Sequence, residues 1–253
     1  MTVATTLVAL QMVSAGEIAP ADRRSDYSLM SRDNQAMQDD DRANPGMLWV
    51  LEGEKLWTEK VGSSAQSCAD CHGRADDTMK GVAARYPTFD PARGRLVDLE
   101  QRINLCRTDH QHAAPLAWED HGLLGLTAYV ASQSRGLPTN VTVDDSTRPH
   151  LAAGRTLFTQ RQGQINLSCE QCHDDHWGER LGGNIIPQGH PNGFPIYRLE
   201  WQSLGSLQRR LRNCMTAVRA EPYPYGSSEN VDLEFYLMWR ARGLPIEAPA
   251  VRP

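Results

Sequence analysis

The apolar positions of this chain fall into helical stripes that occur twice. Residues spaced three and four apart form one stripe over Leu123–Ser134 and another over Val231–Ala241. Each stripe is followed by Arg-Gly-Leu-Pro, at Arg135–Pro138 and at Arg242–Pro245. A basic residue in the last turn, glycine just beyond it and proline two residues later end a helix. Upstream, Asn44-Pro45 supplies a cap and a first-turn proline, predicting a helix through about Glu59. That helix contains Gly53-Glu54-Lys55-Leu56-Trp57-Thr58, echoed at Gly154-Arg155-Thr156-Leu157-Phe158-Thr159. A middle stripe, Leu99-x-x-Arg102-Ile103-x-x-Cys106, returns as Leu207-x-x-Arg210-Leu211-x-x-Cys214. In each, the apolar positions and the cysteine share one helical face, with the arginine one turn before the cysteine. The chain is therefore an internal repeat, each half reading opening helix, long loop, middle helix and final helix.

This pattern divides the chain. Residues 45–138 and 150–253 form two domains, joined by a linker over 139–149 that is broken by Asp144-Asp145-Ser146 and Pro149. Residues 16–44 are polar and charged, and are expected to form an arm on the surface and a candidate contact for a partner. Residues 1–15 read as a signal-peptide remnant, with an apolar run over Val3–Val13 and small residues before Gly16. A plain N-terminal arm is the competing reading there, because no Lys or Arg precedes the run.

Composition narrows the class. The 253 residues are 40 % hydrophobic and 23 % charged, a globular balance, with a net charge of −5. No clustered basic run exists to neutralise phosphates, so nucleic acid is not an expected partner. No apolar run reaches the roughly 18 residues of a membrane span.

The chemistry lies just ahead of each long loop. Ser67-Cys68-Ala69-Asp70-Cys71-His72 and Ser168-Cys169-Glu170-Gln171-Cys172-His173 are both Cys-x-x-Cys-His runs, the attachment signal for c-type haem. Two cysteines three residues apart can form thioethers with one edge of a porphyrin, and the adjacent histidine then ligates the iron. A Cys-x-x-Cys pair alone could be half a zinc site or a redox pair, but histidine follows directly in both copies. The expected fold is mainly α, two tandem cytochrome c-like domains related by the repeat, with two covalently bound haem c groups. In bacteria such haem is attached in the periplasm, which gives the expected location.

Of six cysteines, Cys106 and Cys214 remain, at matching positions in the two halves. Small cytochromes often place the sixth iron ligand near this point. Three readings stand: axial thiolate ligation of each iron, a Cys106–Cys214 disulfide in an oxidising compartment, or two inert buried thiols. Met79, Met215, His110, His112, His121, His176 and His190 are alternatives without a matched residue in the other half. Most are expected on the surface or in loops. Arg209, Arg212 and Arg219 are either a positive funnel near Cys214 or ordinary surface charges.

The two haem motifs, the Arg-x-x-x-Cys after each and Asn192-Gly193-Phe194-Pro195-x-Tyr197-Arg198-Leu199 resemble the SoxA family, in its dihaem form. The resemblance covers residues from about Asp26 onward. It implies L-cysteine S-thiosulfotransferase activity in periplasmic thiosulfate oxidation, with a SoxX-like small cytochrome as partner and a SoxYZ-like carrier protein as acceptor. It implies iron ligation by His72 with Cys106 and by His173 with Cys214, with thioethers at Cys68, Cys71, Cys169 and Cys172. It also implies that Cys214 is the catalytic residue, as a persulfide, and that Arg210 binds substrate. The chemistry agrees, since a thiolate can carry an extra sulfur and a guanidinium suits a small dianion such as thiosulfate. Arg102 stands in the same relation to Cys106, so the local pattern does not choose the catalytic half. Two rivals remain at this stage: a thiosulfate dehydrogenase forming tetrathionate, and a non-enzymatic dihaem electron carrier.

Overall fold

Two helix pairs, one in each half, carry the architecture of the computed structural model, which describes residues 18–253. The signal-peptide reading falls on residues outside that range. The chain enters through short 3-10 turns at Pro20–Asp22 and Asp26–Leu29 and a helix α1, Arg32–Asp39. The first half follows with α2 (Met47–Thr58), α3 (Cys68–His72), α4 (Ala75–Thr78), a hairpin β1–β2 (Thr88–Asp90 and Arg95–Val97), α5 (Leu99–Asp109) and α6 (His121–Ser132). The second repeats the order with α7 (Arg148–Thr159), α8 (Cys169–His173), an added hairpin β3–β4 (Arg180–Leu181 and Asn184–Ile185), a hairpin β5–β6 (Ile196–Arg198 and Ser203–Gly205), α9 (Leu207–Ala217) and α10 (Ser228–Arg240). A last strand, β7 (Ala250–Arg252), pairs in parallel with β5.

In each half the opening and final helices cross, α2 on α6 and α7 on α10. The glycines that mark the repeat are the crossing points. A Cβ on Gly53 would stand 2.1 Å from the Gly125 carbonyl oxygen, and one on Gly154 2.1 Å from that of Asp232. Backbone meets backbone there, so no side-chain adjustment could make room for a larger residue. Trp57 and Phe158, four residues later and both buried, fill the space beneath the crossings.

The halves are not independent bodies. One buried cluster draws Ala84, Leu96 and Ala131 from the first half and Val231, Phe235 and Met238 from the second. The two Arg-Gly-Leu-Pro segments, expected only to stop helices, also pair with each other. Gly136 N–H donates to the Ile246 carbonyl at 2.8 Å, Ile246 N–H to Leu137 at 2.9 Å, and Gly243 N–H to Thr139 at 2.9 Å. The repeat thus ends in a seam between its own copies.

The polar arm packs on the surface of the chain's own second half. Arg23 Nη1 donates to the Arg242 carbonyl (2.8 Å), Arg24 N–H to Gln188 Oε1 (2.7 Å), and Gln38 Oε1 accepts from Val251 N–H (3.1 Å). Its polar side chains serve as partners for backbone that would otherwise be buried unpaired.

Candidate functional site

Each haem motif is a single helical turn held by its own caps. Ser67 accepts from the Asp70 N–H while the Asp70 carboxylate accepts from Ser67 N–H at 2.8 Å. In the second copy Ser168 and Gln171 make the same reciprocal pair. This capping box lets five residues hold a helix that has no length to stabilise it. Both cysteines and the histidine are thereby fixed on one turn.

In the second half His173 Nδ1 lies 2.7 Å from the Pro187 carbonyl oxygen. A carbonyl only accepts, so Nδ1 carries the hydrogen and Nε2 keeps its lone pair for a metal. Burial pushes the imidazole down to about 4, Arg240 and Arg210 add to this, and the Pro187 bond only partly opposes it. The ring is therefore neutral at physiological pH. Gly189 packs against it at φ +71°, and a Cβ there would come within 3.1 Å of the ring.

Beside this histidine lies a cavity of about 180 Å³, whose wall includes Cys169, His173, Arg210 and Cys214. Its apolar wall comes from residues such as Phe158, Leu207, Leu211 and Leu237. Helix α9 supplies Arg210 and Cys214 one turn apart on one face. Its N-terminus is fixed by Ser206, which accepts from Arg209 N–H at 3.1 Å and donates to Glu119 Oε1 at 2.5 Å. Glu119 comes from the first half, so that half helps set the position of the Cys214 helix. A second brace joins the two middle helices, where Gln208 Nε2 donates to Asp98 Oδ2 at 2.7 Å.

In the first half Cys106 on α5 lies by its own motif. Burial pushes the Cys68 thiol up, with Cys106 adding to it, and burial likewise raises Cys106, with Cys71 contributing. Cys68 packs with Trp57, Ile103 and Met79. All six cysteines are unbridged, so the Cys106–Cys214 disulfide reading fails. Each lone cysteine faces its own motif instead of the other.

The two arginines that the sequence could not separate differ sharply. Arg102 Nη2 is bound to Asp90 Oδ2 at 2.7 Å, and Asp90 is buried. Arg210 has no ion-pair partner within reach among the described residues, and it lines the cavity.

Arg209, Arg212 and Arg219 do not line the cavity. Arg209 and Arg212 stack over Trp201 (4.3 Å) and Tyr225 (4.6 Å), and Arg219 lies on the surface. The cationic wall is made instead by Arg198, Arg210 and Arg252, with Asp26 from the arm. Of these the sequence reading singled out only Arg210. His190, expected on the surface or in a loop, is 4 % exposed and lines the same cavity. The sequence did carry a signal for Arg198. It stands 108 residues after Asp90 (198 − 90), the spacing that also separates Arg210 from Arg102 (210 − 102).

The donor sets suit covalently bound haem c. Two thiols and an imidazole share one turn, and a further thiol lies nearby; in the second half Cys169, His173 and Cys214 line one cavity with a largely apolar wall. The preset Nδ1 hydrogen bond of His173 is the outer partner that a metal-binding histidine needs.

Comparison with known proteins agrees. The SoxA/TsdA cytochrome c domain matches residues 52–139 and again 153–246. The chain is 37 % identical over 229 residues to the L-cysteine S-thiosulfotransferase subunit SoxA of Rhodovulum sulfidophilum, spanning 90 % of this chain and 80 % of that one. The corresponding subunit from Pseudaminobacter salicylatoxidans is 36 % identical over the same shares. The crystal structure of SoxXA from P. pantotrophus superposes with a TM-score of 0.88 at 30 % identity, covering 91 % of this chain and 87 % of that one. Repeat, capped motifs and comparisons converge: this chain belongs to the SoxA/TsdA cytochrome c family, whose cytochrome c domain occurs once in each half.

Proposed function

We propose that this chain is the catalytic subunit of an L-cysteine S-thiosulfotransferase that joins thiosulfate to a cysteine of a carrier protein in the periplasm. The observation that carries this reading is Arg210. It is a guanidinium that makes no ion pair among the described residues, one turn from Cys214, beside a cavity bounded by a preset haem motif. The relatives named above support the reaction, and the SoxXA match supports a small cytochrome as the partner chain.

In this reading His72 and Cys106 hold one haem and His173 and Cys214 the other, with thioethers at Cys68, Cys71, Cys169 and Cys172. The haem groups take up electrons when bound. Arg210 holds the sulfonate oxygens of thiosulfate, a task for a planar and permanently charged donor. Cys214 is the sulfur-handling residue, a persulfide in its working form. The apolar wall excludes water and strengthens the contact between guanidinium and dianion. Overall, the carrier thiol loses its proton, a sulfur–sulfur bond forms to the outer sulfur of thiosulfate, and two electrons leave to the cytochromes.

Product analysis with thiosulfate, the small cytochrome partner and the carrier tests the reading. A carrier mass increased by one thiosulfate adduct is expected, and Cys214→Ser is expected to abolish it. Tetrathionate formed equally well without carrier would overturn it in favour of a dehydrogenase. Full activity in a Cys214→Met protein would leave only electron carriage.

A further inference from the structure

The internal repeat supplies its own control. Hairpins β1–β2 and β5–β6 pair in the same register, Thr88 with Val97 and Ile196 with Gly205, Asp90 with Arg95 and Arg198 with Ser203. In the first half this hairpin presents Asp90 to Arg102 and cancels its charge at 2.7 Å. In the second half the same position presents Arg198 to the wall that carries Arg210, and both side chains line the cavity with Cys214. One exchange of residue turns an ion pair into two like charges.

Arg198 is not a solvated surface cation. Its side chain is 11 % exposed, Nε donates to the Pro253 carbonyl at 2.8 Å, and Nη2 meets Glu200 Oε2 at 2.6 Å. Nη1 has no partner among the described residues. Burial first and Arg210 second hold Arg198 below its ordinary range, so the two guanidinium groups feel each other. Glu200 is 64 % exposed and answers only part of this charge, and the buried Asp26 carboxyl of the same wall is shared between Arg252, which acts on it more strongly, and Arg210. Arg252, the third cation of the wall, is already bound to Glu247 at 2.6 Å. Two partly buried like charges repel unless a dianion lies between them, and such a site then binds that dianion by relieving the repulsion.

We propose that Arg198 and Arg210 together form a two-guanidinium clamp for the sulfonate end of thiosulfate, with Arg198 fixing its orientation relative to Cys214. The inference rests on the thiosulfotransferase reading and deepens it. A single arginine would hold any anion. Two set on different elements, a strand and a helix, select a tetrahedral oxyanion group and fix its direction.

The test uses holoprotein with its small cytochrome partner, thiosulfate and carrier, and sulfate as an inert competing dianion. Arg198→Gln is expected to raise the KM for thiosulfate and the Ki for sulfate together, each by about tenfold, the loss of one charged contact of about 1.4 kcal/mol, and to lower kcat severalfold as orientation toward Cys214 is lost. Arg198→Lys keeps the charge but not the planar fork, and is expected to fall between the parent and the Gln variant on both constants. Unchanged KM and Ki in Arg198→Gln would overturn the clamp. So would an equal rise in Gln and Lys variants, which would make the role structural. A shifted haem potential with unchanged sulfate Ki would overturn it too, assigning Arg198 to the haem. Cys214→Ser run alongside separates the two readings, since activity retained there sinks the thiosulfotransferase reading itself.

Discussion

At the scale of single residues, the arginines one turn before Cys106 and Cys214 are alike in sequence and opposite in circumstance. Asp90 is buried, and burial alone would raise its carboxyl. Arg102 and the N–H groups of Arg93 and Ala92 outweigh that and hold it below the usual carboxylate range. Arg102→Ala is therefore expected to lower stability by about 1–2 kcal/mol, discounted for the partial exposure of Arg102, and to leave turnover unchanged. The folded pKa is depressed, so this stability is present above the ordinary carboxylate pKa and is lost as pH falls through the folded value. Denaturation of parent and variant at pH 7 and at pH 3 should then show the gap closing in acid. Arg210→Ala is expected to behave in reverse, with little change in melting temperature and kcat/KM reduced about 10- to 100-fold, as for a lost charge-assisted contact. Joint loss of stability and activity in either variant would refute the assignment. Cys214, His173 and Arg210 were legible as positions from motif and repeat spacing, and only the family resemblance set Cys214 and Arg210 above Cys106 and Arg102. Asp26, Arg252 and His190 were not, because each reaches the cavity from a strand or loop whose path depends on tertiary packing; Arg198 was readable only through its repeat spacing from Asp90.

At the scale of elements, the repeat was legible to within a few residues at its helix ends. The helix predicted through about Glu59 ends at Thr58, and the final helices span 121–132 and 228–240. Amphipathic spacing fixes such helices, whereas strands of two or three residues carry too little pattern to detect. The glycines at 53 and 154 were visible as repeat markers, but their purpose emerges only at the helix crossings. Gly53→Val should push α2 away from α6 and cost upwards of about 2 kcal/mol, read as a fall in melting temperature of the holoprotein. A melting temperature equal to the parent's would mean the crossing is loose. The repeat also lengthens between its two copies. The spacing is 101 residues at the haem cysteines (169 − 68) and 108 at the lone cysteines (214 − 106). The extra length lies in the loop that forms β3–β4, and Asn184 and Ile185 of that hairpin line the cavity.

At the scale of the whole molecule, the two halves meet over buried acid. Burial raises the carboxyls of Asp98, Glu100 and Glu234, and neighbouring negative charge raises the latter two further. The folded protein therefore keeps protons that the unfolded chain releases above the ordinary carboxylate range. These three carboxyls therefore lower stability as pH rises from that range toward their folded values. The melting temperature is expected to be lower at pH 8 than at pH 5.5, and Glu100→Gln with Glu234→Gln is expected to flatten that slope. A slope unchanged by the double substitution would refute the assignment. The shared core and the paired Arg-Gly-Leu-Pro segments could not be anticipated from either half, since each element obeys its own local rule and the pairing exists only between them.

The same seam has a consequence along the chain. Leu244, Ile246, Pro249 and Val251 bind, respectively, Thr139, the 136–137 turn, Asn44 and Gln38. The stretch that fastens the first half and the arm therefore follows, along the chain, every segment it binds there. A chain cut before Leu244 would keep both Cys-x-x-Cys-His turns and lose the bonds to Thr139, Asn44 and Gln38. Closure of the arm and the first half onto the second thus depends on the eight residues from Leu244 to Val251, which none of the segments they bind contains.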